Sequence, residues 1–194
     1  MARLDAESRR KQLVDATVRV IAEHGVAGAT TRRIVSEAGC PLASLHYAFH
    51  TKDDLFDAVY ENLWEQTFEP NQGVTTTAEQ ASTALKEIIE WLIAHPELAR
   101  AQAELFYWSL RNNPELTKRS HQSTIVHFRD FVRKVLREPT SDAKVDELAN
   151  LFLCVTDGLL MSWFAQNNVE LLREQTEAAC KMIERNVAHG DYEK

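Results

Sequence analysis

Side chains that can contact a nucleic acid are concentrated in one short stretch of the sequence. Between Thr30 and Lys52 the chain combines hydroxyl groups, basic residues and an adjacent histidine–tyrosine pair, distributed over two segments with helical spacing. Thr30 or Thr31 can cap the first segment, and Gly39 can end it in the left-handed conformation. Two short helices joined by a glycine-containing turn form a helix-turn-helix, whose second helix enters the major groove of DNA.

The second of these helices, Leu42 to Phe49, is predicted to bury one face and to present the other. Leu45 and Phe49 are four residues apart and are expected to anchor it in a core. The side chains then left for base edges and phosphates are those of Leu42, Ser44, His46 and Tyr47. We expect Thr31, Arg32 and Lys52 to reach flanking phosphates.

Two alternatives stay open for this surface. His46 and Tyr47 can be half-buried surface aromatics with no role in DNA binding. Arg9, Arg10 and Lys11 can follow the minor groove or the phosphate backbone, or they can form a solvated helix face.

The charge distribution agrees with DNA binding at one end of the chain. The net charge is −7, but residues 1–52 contain eight basic and five acidic residues, which gives +3. The remainder contains 14 basic and 24 acidic residues, which gives −10. Contacts with phosphates depend on the local field within about a Debye length, so the acidic total does not exclude DNA.

The sequence offers no constellation typical of catalysis. A nucleophile elbow, a phosphate loop and a set of residues with metal-ligand spacing are all absent, and the seven histidines are scattered singly. We therefore expect a protein that is not an enzyme and that has no catalytic residues, no metal and no cofactor. The three cysteines are widely spaced and are expected to be small buried hydrophobic residues.

The whole chain is predicted to be all-α, with about nine helices. Only 6 glycines and 5 prolines interrupt long runs of helix-forming residues. Leu13, Ala16, Thr17, Val20 and Ile21 form one apolar stripe of a first helix that Gly25 should end. Thr77 to Gln80 matches a capping box that opens the first helix of the body. The predicted organisation is a three-helix DNA-binding domain, residues 1–52, and a larger helical effector-binding and dimerisation domain, residues 53–194.

The segment from Thr30 to Leu55 resembles the DNA-binding domain of the TetR/AcrR family of transcriptional regulators. The family pattern is Thr-x-x-Ile, Ala-Gly, a short recognition helix with an aromatic pair, then Phe and Lys-x-x-Leu, and about 50 residues match in register. The resemblance implies a ligand-responsive homodimer, most often a repressor. It also puts Pro41 in the DNA-contacting surface, although Pro41 and Ala43 replace the usual Ser and Gly, and Ala48 and His46 replace a frequent His and Tyr.

Members of this family usually bind a small molecule among the helices of the body. An apolar cavity with few polar groups suits such a ligand. The candidate pocket residues are Trp91, Phe106, Tyr107, His127, Phe131, Met161 and Trp163. Packing in the core is the alternative for most of these aromatic residues, and a simple hydrogen bond is the alternative for His127.

The last two helices carry more apolar residues than one packing partner needs. The resemblance to the family implies that they form a four-helix dimer interface. The residues Asp157-Gly158-Leu159 are similar to the dimerisation region of that family. The residues assigned to it are Leu148, Phe152, Val155, Leu159, Leu172, Ala179 and Ile183. Twofold symmetry then requires a palindromic operator.

These observations favour a cytoplasmic transcriptional regulator, with repression as the favoured mode. The predicted repressor binds a palindromic operator in double-stranded DNA and dissociates from it when a small-molecule effector binds. No uninterrupted apolar run approaches the roughly 18 residues that span a bilayer, so we expect no membrane association. The alternatives are a helical small-molecule carrier or enzyme without operator binding, and a DNA-binding protein without a sensor.

Overall fold

The computed structural model describes residues 2–64, 76–136 and 141–189 of the chain, with side chains for 6–62, 76–136 and 141–188. These residues form nine α-helices and no strand, which confirms the predicted fold class. The helices are α1 (Ala2–Gly28), α2 (Thr31–Glu37), α3 (Leu42–Ala48), α4 (Lys52–Trp64), α5 (Thr77–Ala94), α6 (Pro96–Asn112), α7 (Pro114–Val135), α8 (Asp142–Gln166) and α9 (Val169–His189).

The chain divides into two compact units. Unit 1 comprises Met1–Gln66 and His95–His121, and unit 2 comprises Thr67–Ala94 and Gln122–Lys194. Unit 1 therefore contains α6 and the first two turns of α7 as well as α1–α4. The predicted boundary after residue 52 is a division by function, and it stays a prediction.

In unit 1, α1 is the helix around which the others assemble, packing on α6, α2, α4 and α3. The predicted apolar stripe of α1 is confirmed, since all five of its residues are buried. Gly25 breaks the helix as expected, but the chain resumes helical geometry after it. Because Gly25 adopts φ 67° and ψ 172°, the result is a kink followed by three further residues of helix.

Polar contacts join α4 to α6 and α7 within unit 1. Asn113 Nδ2 donates to Asp53 Oδ2 at 2.8 Å, and Arg119 Nη2 donates to Asp57 Oδ2 at 3.0 Å. A capping box opens α4, since Thr51 N donates to Asp54 Oδ2 at 2.9 Å and Asp54 N donates to Thr51 Oγ1 at 3.1 Å. The start of α4, and Lys52 with it, therefore has a defined position in the unit.

In unit 2, α5 lies along α9, and α8 packs on both. Its core contains the fully buried Leu85, Ile89, Leu148 and Phe152. The first described helix of this unit is capped one residue earlier than predicted. Glu79 N donates to Thr76 Oγ1 at 3.2 Å and Thr76 N donates to Glu79 Oε2 at 3.4 Å, because Glu79 rather than Gln80 completes the box.

Helix α8 is unusually apolar for its exposure. By length and composition it passes the test for a membrane span, with a mean hydropathy of 1.5 over 18 residues, yet only 33% of that stretch is buried within the chain. Core and interface helices of soluble proteins pass the same test. The sequence prediction missed this feature because it sought an uninterrupted apolar run, and Asp157 interrupts this one.

Candidate nucleic-acid interface

The turn between α2 and α3 is fixed by local hydrogen bonds. Thr30 is the N-cap of α2, and its side chain accepts a hydrogen bond from Arg33 N at 3.3 Å. Gly39 adopts φ 61°, and Cys40 N donates back to Val35 O at 3.0 Å, which closes the end of α2. Pro41 is the N-cap of α3. The helix-turn-helix is therefore present as predicted.

Helix α3 is amphipathic in the predicted sense. Leu45 and Phe49 are 4% and 2% exposed, which confirms them as anchors. Tyr47 is 83% exposed and Leu42 is 39% exposed, while His46 is also exposed and Ser44 is half-buried. The set of residues predicted to contact DNA did not include Ala43, which is exposed one turn before Tyr47. Its i, i+4 spacing from Tyr47 was the available signal.

The chain around α3 is free of negative charge. No acidic residue lies between Glu37 and Asp53, and Arg19 Nε contacts the Glu37 carboxylate at 2.6 Å. Arg32 and Pro41 are exposed, and Thr31 is half-buried. This surface can therefore approach phosphates without an opposing carboxylate next to the recognition helix.

Lys52 is exposed at the start of α4, with its Nζ 4.9 Å from the centroid of the Phe56 ring. Partial burial of the ammonium group lowers the pKa of Lys52, while the neighbouring Asp53 acts to raise it. The aromatic ring orients the cation without consuming its hydrogen-bond donors.

The sequence profile described as "Bacterial regulatory proteins, tetR family" matches residues 13–59, which cover the helix-turn-helix and the helices on either side. The HTH-type nicotine-responsive transcriptional repressor HdnoR of Paenarthrobacter nicotinovorans is 25% identical over 169 residues, 84% of this chain and 87% of that protein. The HTH-type transcriptional regulator PksA of Bacillus subtilis (strain 168) is 50% identical over 52 residues, 27% of this chain and 25% of that protein.

The chain also shares its fold with solved structures. TylP, a TetR regulator from Streptomyces fradiae, superposes with a TM-score of 0.74 at 18% identity, over 93% of this chain and 86% of that one. Residues 13–59 thus form a TetR-type DNA-binding segment. The resemblance of this segment is thereby confirmed, and the chain is a DNA-binding transcriptional regulator.

The residues predicted to form the effector pocket of this protein lie in different environments. Phe106 and Tyr107 belong to unit 1, where Tyr107 is 47% exposed, and the other five belong to unit 2. Phe131 and Trp163 are buried, the first against Phe152 with ring centroids 5.6 Å apart. Trp91, His127 and Met161 are half-buried.

His127 makes a local hydrogen bond. Its Nδ1 lies 2.8 Å from Ser123 O, one turn earlier on α7, so the ring nitrogen that carries the proton donates there. This is the alternative that the sequence left open for His127. The assignment of an effector pocket to these seven residues stays a prediction.

A cavity of about 620 Å³ lies in unit 1 among α1, α2 and the start of α6, and none of the predicted pocket residues lines it. Several of the charged groups that line it already have partners. Arg19 pairs with Glu37, and Arg33 Nη1 donates to Gly28 O at 2.8 Å. The Arg19–Glu37 pair thus links α1 to α2, and Arg33 binds the last carbonyl group of α1.

Five of the seven residues predicted for the dimer interface contribute to the core of unit 2. Leu148, Phe152, Leu159, Leu172 and Ile183 are at most 7% exposed in the single chain. Val155 and Ala179 are half-buried and retain surface that a partner can cover. The assignment of the dimer interface to these seven residues stays a prediction.

The cysteines differ from one another. Cys180 is buried, and burial raises the pKa of its thiol to about 11. Cys40 is half-buried and Cys154 is exposed on α8, so the expectation of three buried cysteines is wrong for Cys154. Among the described residues, no group of His, Cys, Asp and Glu is arranged to hold a metal ion.

Proposed function

We propose that the protein is a homodimeric repressor that binds a palindromic operator through α3 and leaves it when a small-molecule effector binds. The exposed face of α3 carries the argument. Tyr47 is 83% exposed on this face, whereas the opposite face of α3 is buried. No acidic residue lies between Glu37 and Asp53, so this face suits a polyanionic partner. HdnoR, which is similar over most of this chain, is a repressor, and this supports the direction of regulation.

The DNA contacts are assigned by the reach of each side chain. Leu42, Ala43, His46 and Tyr47 face the bases and the edges of the groove, with Ser44 at the margin. Thr31, Arg32 and Lys52 contact phosphates, and Pro41 sets the start of α3. Base contacts provide specificity, and phosphate contacts provide most of the salt-dependent affinity.

Selection from a random duplex library tests this reading. The wild-type protein should enrich an inverted repeat whose half-sites are about one helical turn, or a multiple of it, apart. A protein that binds all duplexes with equal affinity, or that enriches a single half-site, would contradict the proposal.

The dimer surface that we propose is the outer row of α8, defined here as Leu151, Cys154, Val155, Gly158 and Met161, together with Met182 of α9. Every one of these residues is exposed or half-buried, and Met182 is 50% exposed. An apolar helix with a third of its most apolar stretch buried needs a further cover, and a second copy in twofold symmetry provides it. This surface is consistent with a soluble, cytoplasmic protein.

Gly158 gives a selective test of the outer row. A Cβ at Gly158 would meet nothing within 4 Å in the chain, so Gly158→Glu should leave the fold of the single chain intact. In a dimer the same carboxylate would be forced into an apolar contact. We expect a monomer by sedimentation with an unchanged helical signal. Gln122→Glu adds the same charge at an exposed position of α7, outside the outer row, and should keep the protein dimeric. A dimeric Gly158→Glu protein would contradict the assignment.

The effector is proposed to be a small, largely apolar molecule with a polar group. The body of the chain provides apolar and aromatic side chains, and the related HdnoR is nicotine-responsive. A thermal-shift screen against metabolites and drugs tests this, because a ligand at 100 times its Kd stabilises the protein by about 2.7 kcal/mol. A hit should also release the selected duplex. A ligand that stabilises the protein and leaves DNA binding unchanged would contradict the regulatory role.

A further inference from the structure

Helix α1 sends two side chains to the carboxyl ends of both helices of the helix-turn-helix. Arg10 Nη1 donates to Ala48 O, the last residue of α3, at 3.1 Å. Gln12 Nε2 donates to Ala38 O, the C-cap of α2, at 2.7 Å. The two acceptors are 38 and 26 residues away in sequence, so these are tertiary contacts.

These carbonyl groups need partners because both helices are short. Each has only seven residues. The last four carbonyl groups of any α-helix accept no hydrogen bond from an N–H group of the same helix, so they need other donors. Helices of this length are not stable alone. A cation is also favourable at a helix C-terminus because of the helix dipole, so Arg10 is well suited to the end of α3.

Arg10 makes a second contact, with an aromatic ring, in addition to its hydrogen bond with Ala48 O. Its guanidinium carbon lies 4.3 Å from the centroid of the Phe49 ring, and Phe49 is the buried anchor that follows α3. Arg10 thus contacts both the last turn of the recognition helix and the side chain that anchors it. Arg9 supports the second contact, since its Nη1 donates to Gln12 Oε1 at 2.7 Å and thereby leaves Nε2 directed at Ala38.

We propose that Arg10 is a positioning residue for operator recognition: it sets the direction of α3 and makes no contact with DNA itself. Gln12 has the same role for α2. This inference rests on DNA binding by α3 and adds to it a residue outside the helix-turn-helix. It also assigns Arg10 to neither of the two roles that the sequence left open, a DNA contact or a solvated charge.

A phosphate contact and a positioning contact differ in what they change. Loss of a phosphate contact weakens binding to every duplex and reduces the salt slope by about one. Loss of a positioning contact misaligns α3, so it weakens binding to the operator and leaves non-specific binding and the salt slope unchanged. The ratio of the two affinities therefore separates the roles.

The experiment uses the full chain and two probes, a duplex selected from a random library by the wild-type protein and a shuffled duplex of the same composition. For Arg10→Gln we expect roughly tenfold weaker binding to the selected duplex, the size of a lost charged hydrogen bond, and no change on the shuffled one. Arg10→Lys keeps the charge and a donor and should restore part of the loss. Lys11→Gln removes the same charge one residue away and should leave the ratio of the two affinities at the wild-type value.

Binding is measured well below the melting temperature of each variant, so that the folded fraction does not enter the comparison. If Arg10→Gln does not fold, Arg10→Lys still decides, because it should give an intermediate ratio with an unchanged salt slope. Equal weakening on both duplexes with a lower salt slope would overturn the proposal in favour of a phosphate contact. Unchanged affinities of Arg10→Gln for both duplexes would also overturn the proposal. If the wild-type protein itself prefers no duplex, the proposed recognition of an operator by α3 fails, and the role of Arg10 fails with it.

Discussion

The helix-turn-helix and the pair α8–α9 solve opposite problems. Helices α2 and α3 have seven residues each, and they depend on caps, a tight turn and side chains of α1 for their geometry. Helices α8 and α9 have 25 and 21 residues and need no such support for their backbones. Their difficulty is surface, because α8 leaves an apolar outer row uncovered in the single chain. The first region requires rigidity towards a polar partner, and the second requires an apolar cover.

The largest effect on stability is expected in the core of unit 2. Phe152 is fully buried, with ring centroids 6.2 Å from Phe128 and 5.6 Å from Phe131. Phe152→Ala should lower the free energy of unfolding by about 3–5 kcal/mol, measured by urea denaturation. Gln122→Ala, at an exposed position of α7 in the same unit and outside the proposed dimer surface, is the control and should change it by no more than about 0.5 kcal/mol. A loss below about 1 kcal/mol for Phe152→Ala would show that this core is not as tightly packed as described.

Tyr47→Ala should show the reverse pattern. Because Tyr47 is 83% exposed, the variant should keep its free energy of unfolding within about 0.5 kcal/mol. Its affinity for the selected duplex should fall by about 1–3 kcal/mol, measured by fluorescence anisotropy. Unchanged affinity would remove Tyr47 from the DNA-contacting set and would make its exposure a surface property only.

The two capping boxes provide a direct comparison between the units. Thr51→Ala and Thr76→Ala each remove the hydroxyl that accepts one of the two hydrogen bonds of the box, and each should cost about 1 kcal/mol of stability. Only Thr51→Ala should also weaken DNA binding, since it loosens the first turn of α4, where Lys52 lies. Equal DNA affinity for the two variants would contradict the proposed contact between Lys52 and the phosphates.

The smallest expected effect concerns pH. Hydrogen bonds from the backbone and side chain of Thr51 lower the pKa of Asp54. The ionised carboxylate is the form that the cap stabilises, so this contribution is present above the unfolded-state pKa of Asp54. It is lost as the pH falls through the lower folded-state pKa. Thr51→Ala keeps the backbone hydrogen bond, which is the larger cause, and removes the contribution of the side chain. The pKa of Asp54 should therefore rise only part of the way towards its ordinary value, as a carboxyl titration by NMR can measure, and an unmoved pKa would contradict the side-chain contribution.

Local patterns were sufficient for much of the DNA-binding surface. Leu45 and Phe49 were predicted as anchors from their spacing of four, and Gly39 from its place after a short apolar helix. Both predictions are confirmed because helix period and turn chemistry depend on near neighbours only. The contact of Arg10 with Ala48 had no such signal, since the two residues meet only after α1 and α3 have packed together.

The body was harder to interpret because its helices are apolar on more than one side. Hydrophobic spacing selects a face, but it does not say whether that face meets the same chain or another. On α8 it selected Leu148 and Phe152, which are buried within the chain, together with Val155, which is half-buried and belongs to the outer row. The capping box at Thr76 was displaced by one residue for a similar reason, since two overlapping matches to the pattern exist there.

The separation of roles along α3 has a consequence for the evolution of such proteins. The residues that hold the helix in place and those that face outward are different, and they are interspersed within the eight residues from Leu42 to Phe49. Leu42, Ala43, His46 and Tyr47 can therefore be exchanged in combination without disturbing Leu45 or Phe49. The protein can acquire a new target sequence through a few codon changes while its scaffold, and its response to small molecules, is inherited intact.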